Sequence, residues 1–227
     1  MSRDDMFQVR HTSFPAVSDS NGERAVINRS GMQIVTDTFT QLTLSGYTYH
    51  MQIGTEDAGV ASTTAMDDAL VWMLADSAVG QAMMPLLYEV TPGVLAGSTL
   101  VQAMLEIDKD QVRYTSGGTA FVPANMRSDD PQSASGSFYV GTDITVAGKT
   151  AIPNSVELAR KFYIEDTITD SLGYPGAWES AVYSIRTRPP FVMVDASSLL
   201  CHFGAATADA TGYGVIEFAQ FPKTMVV

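Results

Sequence analysis

The chain of 227 residues has one cysteine, few charged side chains and no long apolar run. The single cysteine, Cys201, excludes an intrachain disulfide framework and a multi-cysteine zinc site. No stretch approaches the roughly 20 apolar residues that cross a bilayer as a helix. The opening residues, MSRDDMFQVRH, lack the apolar segment of a secretory signal. We therefore expect a protein that is made in the cytoplasm and has no membrane partner.

Charged residues are scarce and predominantly acidic, with 25 Asp and Glu against 13 Lys and Arg. Charged residues make up 17% of the chain, against about 25% in an average soluble domain. This favours a surface partly covered by other protein, although a surface rich in Thr, Ser, Gly and Ala that stays in water is also possible. The net charge of −12 argues against a nucleic-acid partner, which needs a basic surface. The acidic residues are dispersed, as in Asp4-Asp5 and Asp67-Asp68, which is typical of a solvated surface.

The end of the chain has the pattern of antiparallel strands. Its segments are short, rich in Val, Ile, Phe and Tyr, and bounded by turn-forming residues. We predict three strands there, at Phe191–Val194, Leu199–Phe203 and Tyr213–Phe221. Ile216 and Phe218 share one face of the last strand and Glu217 lies on the other, the period of two that a half-buried strand requires.

Similar short segments recur along the rest of the chain. Thr64–Val79 also has apolar residues at helical spacing, but we predict a strand because its neighbours on both sides have strand patterns. Pro85 indicates an edge strand or a strand start. The earlier predicted strands are a hairpin over Thr36–Ile53 with its turn at Ser45-Gly46, and then Leu70–Leu74, Ala82–Val90, Ser98–Ile107, Phe121–Met126, Phe138–Val140, Ile144–Val146, Ala159–Ile164 and Trp178–Arg186.

About ten short strands separated by Gly and Pro turns indicate an all-β fold, an antiparallel β-sandwich. Residues 1–34 lack periodicity and contain the polar stretch SDSNGER, so we predict a loosely structured N-terminal arm with at most a short strand near Ala25–Ile27. The predicted domains are thus an arm over 1–34 and a β-sandwich over 35–227.

No segment has a catalytic or cofactor-binding motif. Residues 141–150 superficially resemble a phosphate-binding loop, but Asp143 stands where that loop needs glycine, so we predict a β-turn. No G-x-S-x-G elbow occurs, although a Ser/His/Asp triad stays open because its members need not be neighbours. We predict no catalytic residue and no cofactor.

Metal binding is also not expected. His11, His50 and His202 are scattered, and Cys201 and His202 would point to opposite faces of a strand. We therefore predict that His202 is a polar group of the rim or the core. The segment 108–110, Asp-Lys-Asp, lacks the further oxygen ligands and the glycine of a calcium loop.

The large apolar side chains favour packing over ligand binding. Trp72 and Trp178 could stack on sugars, but each lies in or beside a predicted strand, so we predict core packing. The twelve methionines could line a promiscuous groove. We predict instead that they fill gaps in the core or in a subunit interface.

Three stretches resemble a family of virion structural proteins of tailed bacteriophages. The segment Met83–Val90 is similar to the central hairpin region of that family. Tyr114–Pro131 resembles its segment SGGTA…P.N.R.DDP, the most specific of the three. Residues 189–222 resemble its last three strands, whereas residues 1–50 have no counterpart.

The resemblance implies a jelly-roll-like β-sandwich that is not an enzyme. It implies a homotrimer on the capsid surface of the virion, a decoration or cement protein that binds and stabilises the lattice of the major capsid protein. The arm could add contacts to that lattice through many weak sites.

Two other functions stay open. A tail or fibre-associated module could bind host-surface glycan through exposed aromatics such as Tyr174 and Trp178. A hydrolase of envelope polysaccharide could use paired carboxylates, which cannot be recognised from sequence.

Overall fold

The computed structural model describes residues 38–55, 57–63, 70–93, 101–109, 111–129, 132–147, 155–163, 181–205 and 210–226. The described part is built almost wholly from antiparallel strands. Its elements are α1 Thr38–Leu44, β1 Thr48–Ile53, β2 Val60–Ala61, β3 Leu70–Ser77, β4 Gln81–Pro92, β5 Val101–Asp108, β6 Tyr114–Ser116, β7 Thr119–Ala120, β8 Ala124–Asn125, β9 Gly136–Val146, β10 Ser155–Tyr163, β11 Ala181–Ser184, β12 Met193–Val194, β13 Ser197–Ala205, β14 Thr211–Pro222 and a 3-10 turn at Lys223–Met225.

The strands form two sheets that pack face to face. Sheet I has the order β11-β4-β14-β1-β8, with β12 also paired to β4 and β2 paired to β14. Sheet II has the order β10-β5-β13-β3-β9-β6, with β7 also paired to β9. The predicted all-β antiparallel sandwich is confirmed.

Eight of these strands are nested in the order of a jelly roll. The first pairs with the last (β1 with β14), β3 pairs with β13, β4 with β11 and β5 with β10. The contacts β14 with β4 and β13 with β5 then join these pairs into two four-stranded layers. This nesting is what a double Greek key produces, so the jelly-roll-like order is confirmed as well.

The strands between β5 and β10 widen both layers. β9 adds to the free edge of β3 in sheet II, and β8 adds to the free edge of β1 in sheet I. Each long inner strand therefore has a partner on both sides, which reduces the exposed edge available for aggregation.

Aromatic and methionine side chains fill the space between the sheets. Trp72 is fully buried against Phe203 with ring centroids 4.7 Å apart, and its Nε1 donates to the carbonyl of Ala61. The prediction that Trp72 packs in the core is confirmed. Six methionines of the described part are buried, in agreement with the predicted core filling: Met51, Met73, Met83 and Met193 lie in the inter-sheet core, and Met84 and Met104 lie outside it.

The predicted hairpin over Thr36–Ile53 is wrong in its first half. Thr38–Leu44 is the helix α1, and only Thr48–Ile53 is a strand. The edges of β1 are already taken by β14 and β8, so no strand position is left for the preceding segment. Leu42 and the partly buried Phe39, at helical spacing, instead pack on the outer face of sheet I.

The predicted turn at Ser45-Gly46 is the C-terminal cap of that helix. Gly46 has φ +75°, its amide donates to the carbonyl of Thr43, and the amide of Tyr47 donates to the carbonyl of Leu42. This pair of bonds is the Schellman motif, in which glycine supplies the left-handed residue. The turn residues are thus correctly predicted, but the element that they end is a helix rather than a strand.

Other strand boundaries differ from the predicted ones. Pro85 lies inside the central strand β4 rather than at an edge or a start, and a register irregularity beside it accommodates the missing amide. The two strands predicted at Phe138–Val140 and Ile144–Val146 are one strand, β9, with a bulge. The predicted strand Phe121–Met126 shortens to β8.

Within the described residues, the remaining segments that were predicted as strands are strands. The structure has more strands than the ten or so that the sequence predicts. The described part has fourteen strands, because bridges of two or three residues carry no periodicity that a sequence pattern could reveal. The predicted strand near Ala25–Ile27 and the boundary between arm and sandwich lie outside the described residues.

Candidate functional site

An open groove of about 840 Å³ lies on the outer face of sheet I. The helix α1 forms one wall, and β4, β11 and β14 form the floor and the other wall. The groove exists because α1 is short: seven residues make a helix of about 10 Å, whereas β4 and β14 each have twelve residues and extend about 40 Å.

Both apolar and acidic side chains line this groove. Leu44 is 62% exposed and Met126 is 41% exposed, although both are large and apolar. Glu89 and Glu217 lie on the neighbouring strands β4 and β14, where Glu89 pairs with Val215 and Glu217 with Leu87. The two carboxylates are therefore diagonal neighbours on the same sheet face.

His50 stands beside the groove on β1, directly opposite Glu217 in the strand register. Its Nδ1 lies 3.9 Å from Glu217 Oε1, which makes the contact an ion pair rather than a hydrogen bond when His50 is protonated. The Glu217 carboxylate raises the pKa of His50 above its usual value of 6.5, although partial burial opposes this shift. This part of the groove thus holds a carboxylate and a cation that depends on pH.

The last residue of β8 and the segment after it hold the groove wall that α1 forms. Arg127 Nη1 donates to the carbonyl of Leu44 at 3.0 Å, and the guanidinium also pairs with Asp129 at 2.7 Å. Asn125 Nδ2 donates to the carbonyl of Gly46 at 2.8 Å, while its Oδ1 accepts from the amide of Arg127. Cations and amide donors at a helix C-terminus satisfy carbonyls that have no partner within the helix.

The paired glycines of the most specific motif close against β9. A Cβ on Gly117 would lie 2.0 Å from the carbonyl oxygen of Asp143, and one on Gly118 would lie 2.5 Å from Ile144 Cγ1. Both residues have positive φ, +81° and +69°, which glycine adopts without strain. The amide of Gly118 donates to Asp143 Oδ1 at 3.0 Å.

A second polar cluster is buried on the outer face of sheet II. Asp76, at the end of β3, accepts hydrogen bonds from the amides of Arg113 and Tyr114 and from the hydroxyl of Ser198. Burial raises the pKa of Asp76 above its usual 3.8, although these hydrogen bonds and the charge of Arg113 act in the opposite direction. Asp76 therefore anchors the chain between β5 and β6 where it crosses the sheet.

Two further contacts extend this cluster along the sheet. The buried guanidinium of Arg113 pairs with the buried carboxylate of Asp108. One row away, Ser155 Oγ donates to Glu106 Oε1, while His202 Nε2 lies 3.4 Å from Glu106 Oε2 and His202 Nδ1 lies 3.1 Å from the carbonyl of Leu70. Buried charges are stable only when they are paired in this way.

This second cluster is not a nucleophilic triad. A triad requires the serine hydroxyl on the imidazole, with the carboxylate on the other ring nitrogen. Here Ser155 and His202 both contact the same carboxylate, and the other nitrogen of the imidazole faces a backbone carbonyl. The imidazole therefore does not contact the serine hydroxyl, and Glu106 Oε2 and His202 Nε2, although 3.4 Å apart, form no hydrogen bond with each other.

The positions considered as sites from sequence do not converge. Cys201 packs in the inter-sheet core and His202 lies on the opposite face, as predicted, and burial raises the pKa of the Cys201 thiol. No group of three or more His, Cys, Asp or Glu side chains in the described part could hold a metal ion. His11, Asp110, Tyr174 and Trp178 lie outside the described residues.

The segment considered as a phosphate-binding loop is a strand over Gly141–Val146, not the predicted β-turn. Its Asp143 holds the glycine turn described above. Sequence reasoning missed the groove and the Asp76 cluster, because both combine residues from distant parts of the chain. No helix among the described residues is long and apolar enough to span a membrane.

Comparison with protein-family models, with curated proteins and with solved structures gave no match for this chain. A function can therefore be inferred only from the sequence, the fold and the geometry of the groove and the buried cluster.

Proposed function

We propose that the protein is a structural component of a tailed-bacteriophage virion, a homotrimeric decoration or cement protein without enzymatic activity that binds and stabilises the capsid lattice. The observation that carries this proposal is the role of the motif that resembles the phage family. Gly117 and Gly118 close a turn against β9, and Asn125 and Arg127 hold the C-terminus of α1. Through these contacts the motif has a structural role, because it holds one turn against β9 and the end of α1 against β8.

The fold and the surface are compatible with this role. Jelly rolls occur in viral capsid domains, but also in lectins and cupins, so the fold supports the proposal only by analogy. The low charge content suits a surface that other protein covers. Capsid binding at many equivalent positions also makes modest affinity at each site sufficient.

The test combines light scattering with sedimentation. We expect the purified protein to have three times the mass of one chain and to co-sediment with empty expanded heads built from the major capsid protein. In a separate measurement on DNA-filled heads, those that carry the protein should keep their DNA at temperatures at which bare heads release it. A monomer that stays in the supernatant, or heads that are equally stable without it, would refute the proposal.

A further inference from the structure

A row of polar contacts crosses four neighbouring strands on the outer face of sheet II. The carbonyl of Leu70 on β3 lies 3.1 Å from Nδ1 of His202 on β13, and Nε2 of the same imidazole lies 3.4 Å from Oε2 of Glu106 on β5. Ser155 on β10 donates to the other oxygen of Glu106. His202 is 1% exposed and Glu106 is 3% exposed, so these contacts are only weakly screened by the solvent.

The surroundings of the imidazole indicate which of its nitrogens carry protons. A carbonyl oxygen only accepts hydrogen bonds, so Nδ1 carries a proton toward Leu70. Nε2 has no hydrogen-bond partner among the described residues, and a carboxylate oxygen of Glu106 lies beside it. Without a proton on Nε2, its lone pair would lie next to a carboxylate in a buried site, which is unfavourable. With a proton, the contact becomes an ion pair between imidazolium and carboxylate.

The buried groups of β3 and β5 favour a cation at position 202. Asp76 on β3 and Asp108 on β5 are both buried, and Arg113 pairs with Asp108. With Glu106, the described part of this face has three buried carboxylates against one guanidinium. A protonated His202 adds a second cation. Burial raises the pKa of Asp76, as expected where further negative charge is unfavourable.

On the side of β10, the nearest described charges balance each other. Arg160 Nη2 lies 3.1 Å from the sulfur of Met104, which pairs with His202 in the register of β5 and β13. The same nitrogen forms an ion pair with Glu157 at 2.8 Å. This pair therefore adds no net charge beside the imidazole.

We propose that Glu106 holds His202 as a buried imidazolium and that this pair makes the stability of sheet II depend on pH. While Nε2 is protonated, the ion pair holds β13 to β5 and the Nδ1 hydrogen bond holds β13 to β3. When the proton is lost, the attraction to Glu106 disappears. This inference is independent of the capsid function proposed above, because it concerns only contacts within one chain.

The direction of this pH dependence follows from the number of bound protons. A histidine in the unfolded chain titrates near the usual value of about 6.5. Above that pH, the folded protein would retain a proton that the unfolded chain has released, so stability falls as pH rises. One retained proton increases the equilibrium constant of unfolding by up to about tenfold for each pH unit.

The first experiment observes the imidazole directly. The chain has 3 histidines, so His11→Gln together with His50→Gln leaves His202 as the single one. Nitrogen-15 NMR of this labelled full-length variant distinguishes an imidazolium, in which both ring nitrogens carry protons, from a neutral ring with one bare nitrogen. The same variant unfolded in urea is the matched control.

At about pH 7.5 we expect two protonated ring nitrogens in the folded protein and a predominantly neutral ring in urea. A bare Nε2 in the folded protein would overturn the proposal, whether the proton is absent or is held by Glu106. This measurement requires no substitution within the pair.

A second experiment follows urea unfolding of the same double variant from about pH 6.5 to about pH 8. We expect the equilibrium constant of unfolding to rise by up to about tenfold per pH unit. Adding Glu106→Gln removes the carboxylate and should abolish most of this slope. The control is Glu157→Gln, which lies opposite Glu106 in the register of β10 and β5 and should keep the slope. Equal slopes in these two variants would contradict the proposal, and the NMR result decides it if Glu106→Gln does not fold.

Discussion

At the scale of single residues, the glycine pair of the family-like motif is required for steric reasons. Position 117 requires glycine for two reasons: its backbone is left-handed, and the carbonyl oxygen of Asp143 occupies the place where a Cβ would lie. Position 80 favours glycine only for its left-handed backbone, with φ +88°. A Cβ at this position would have no neighbour within 4 Å. The two glycines therefore separate backbone strain from steric overlap.

We expect Gly117→Ala to lower the free energy of unfolding by about 3 kcal/mol or more, the sum of left-handed strain and a clash that only a backbone shift can relieve. Gly80→Ala should cost about 1 kcal/mol, from strain alone. Urea unfolding of both variants measures the difference. If both variants lose the same free energy of unfolding, the turn can shift at no cost and the overlap with Asp143 does not affect stability.

The buried carboxylate of Asp76 is the residue on which the polar cluster of sheet II depends. Asp76→Ala would leave two backbone amides without their acceptor, whereas the Ser198 hydroxyl would keep the carbonyl of Gln111. We expect a loss of about 3 kcal/mol, because buried donors without partners are costly. Chemical denaturation checks this value, with Asp57→Ala on an exposed turn as the control that should leave the midpoint in place. A loss no larger than that of the control would contradict the anchoring role.

The pair of His50 and Glu217 predicts a pH dependence at the groove. The folded-state pKa of His50 is raised, so its contribution to stability is present below the unfolded value of 6.5 and is lost as pH rises through the folded pKa. We expect Glu217→Gln to lower the pKa of His50, as followed by NMR titration of the imidazole proton. Glu157→Gln on the other sheet is the control. An unshifted His50 pKa in Glu217→Gln would show that the carboxylate does not act on the imidazole.

At the scale of elements, α1 shows how tertiary contacts stabilise a helix that is too short to form alone. Isolated helices below about 12 residues are marginal in water. α1 is held by Leu42 on the outer face of sheet I, by its glycine cap and by the side chains of Asn125 and Arg127. The end of β8 and the residues after it therefore hold the groove wall in place, although they are far from α1 in sequence.

We expect Arg127→Ala to speed amide exchange at Ser45, Gly46 and Tyr47, because the last turn of α1 loses a donor to the Leu44 carbonyl. Its effect on global stability should be about 1 kcal/mol or less, since the guanidinium is partly exposed. Hydrogen exchange followed by mass spectrometry measures the local effect. The control is Arg160→Ala, which loses an ion pair on β10. Equal exchange at residues 45–47 in both variants would refute the bracing role.

At the scale of the whole molecule, β10 lies at the edge of sheet II among the described strands, and the trimer that we propose would cover this edge. Phe162 on this strand is 53% exposed. We expect Phe162→Glu to reduce the mass measured by light scattering from three chains to one. Val79→Glu, at a 77% exposed turn position, should not change it. A trimer that survives Phe162→Glu would exclude this edge as the contact.

Sequence patterns were sufficient where a strand alternates by itself and local turn residues end it. In β14, Ile216 and Phe218 are buried and Glu217 is not, as its period of two predicts. The same holds for the apolar runs of β3, β4, β5 and β13, whose residues are predominantly buried. These features depend on side chains a few residues apart, so the all-β sandwich could be predicted.

Only the tertiary structure decided the features that depend on distant partners. The Thr-rich segment before β1 is a helix because both edges of β1 are occupied. Asp76 has partners 37, 38 and 122 residues away, so no local pattern could reveal its cluster. The groove combines α1 with β4, β11 and β14 in the same way. Local preference thus determined the type of most strands, whereas strand pairing over long separations determined the groove and the buried polar cluster.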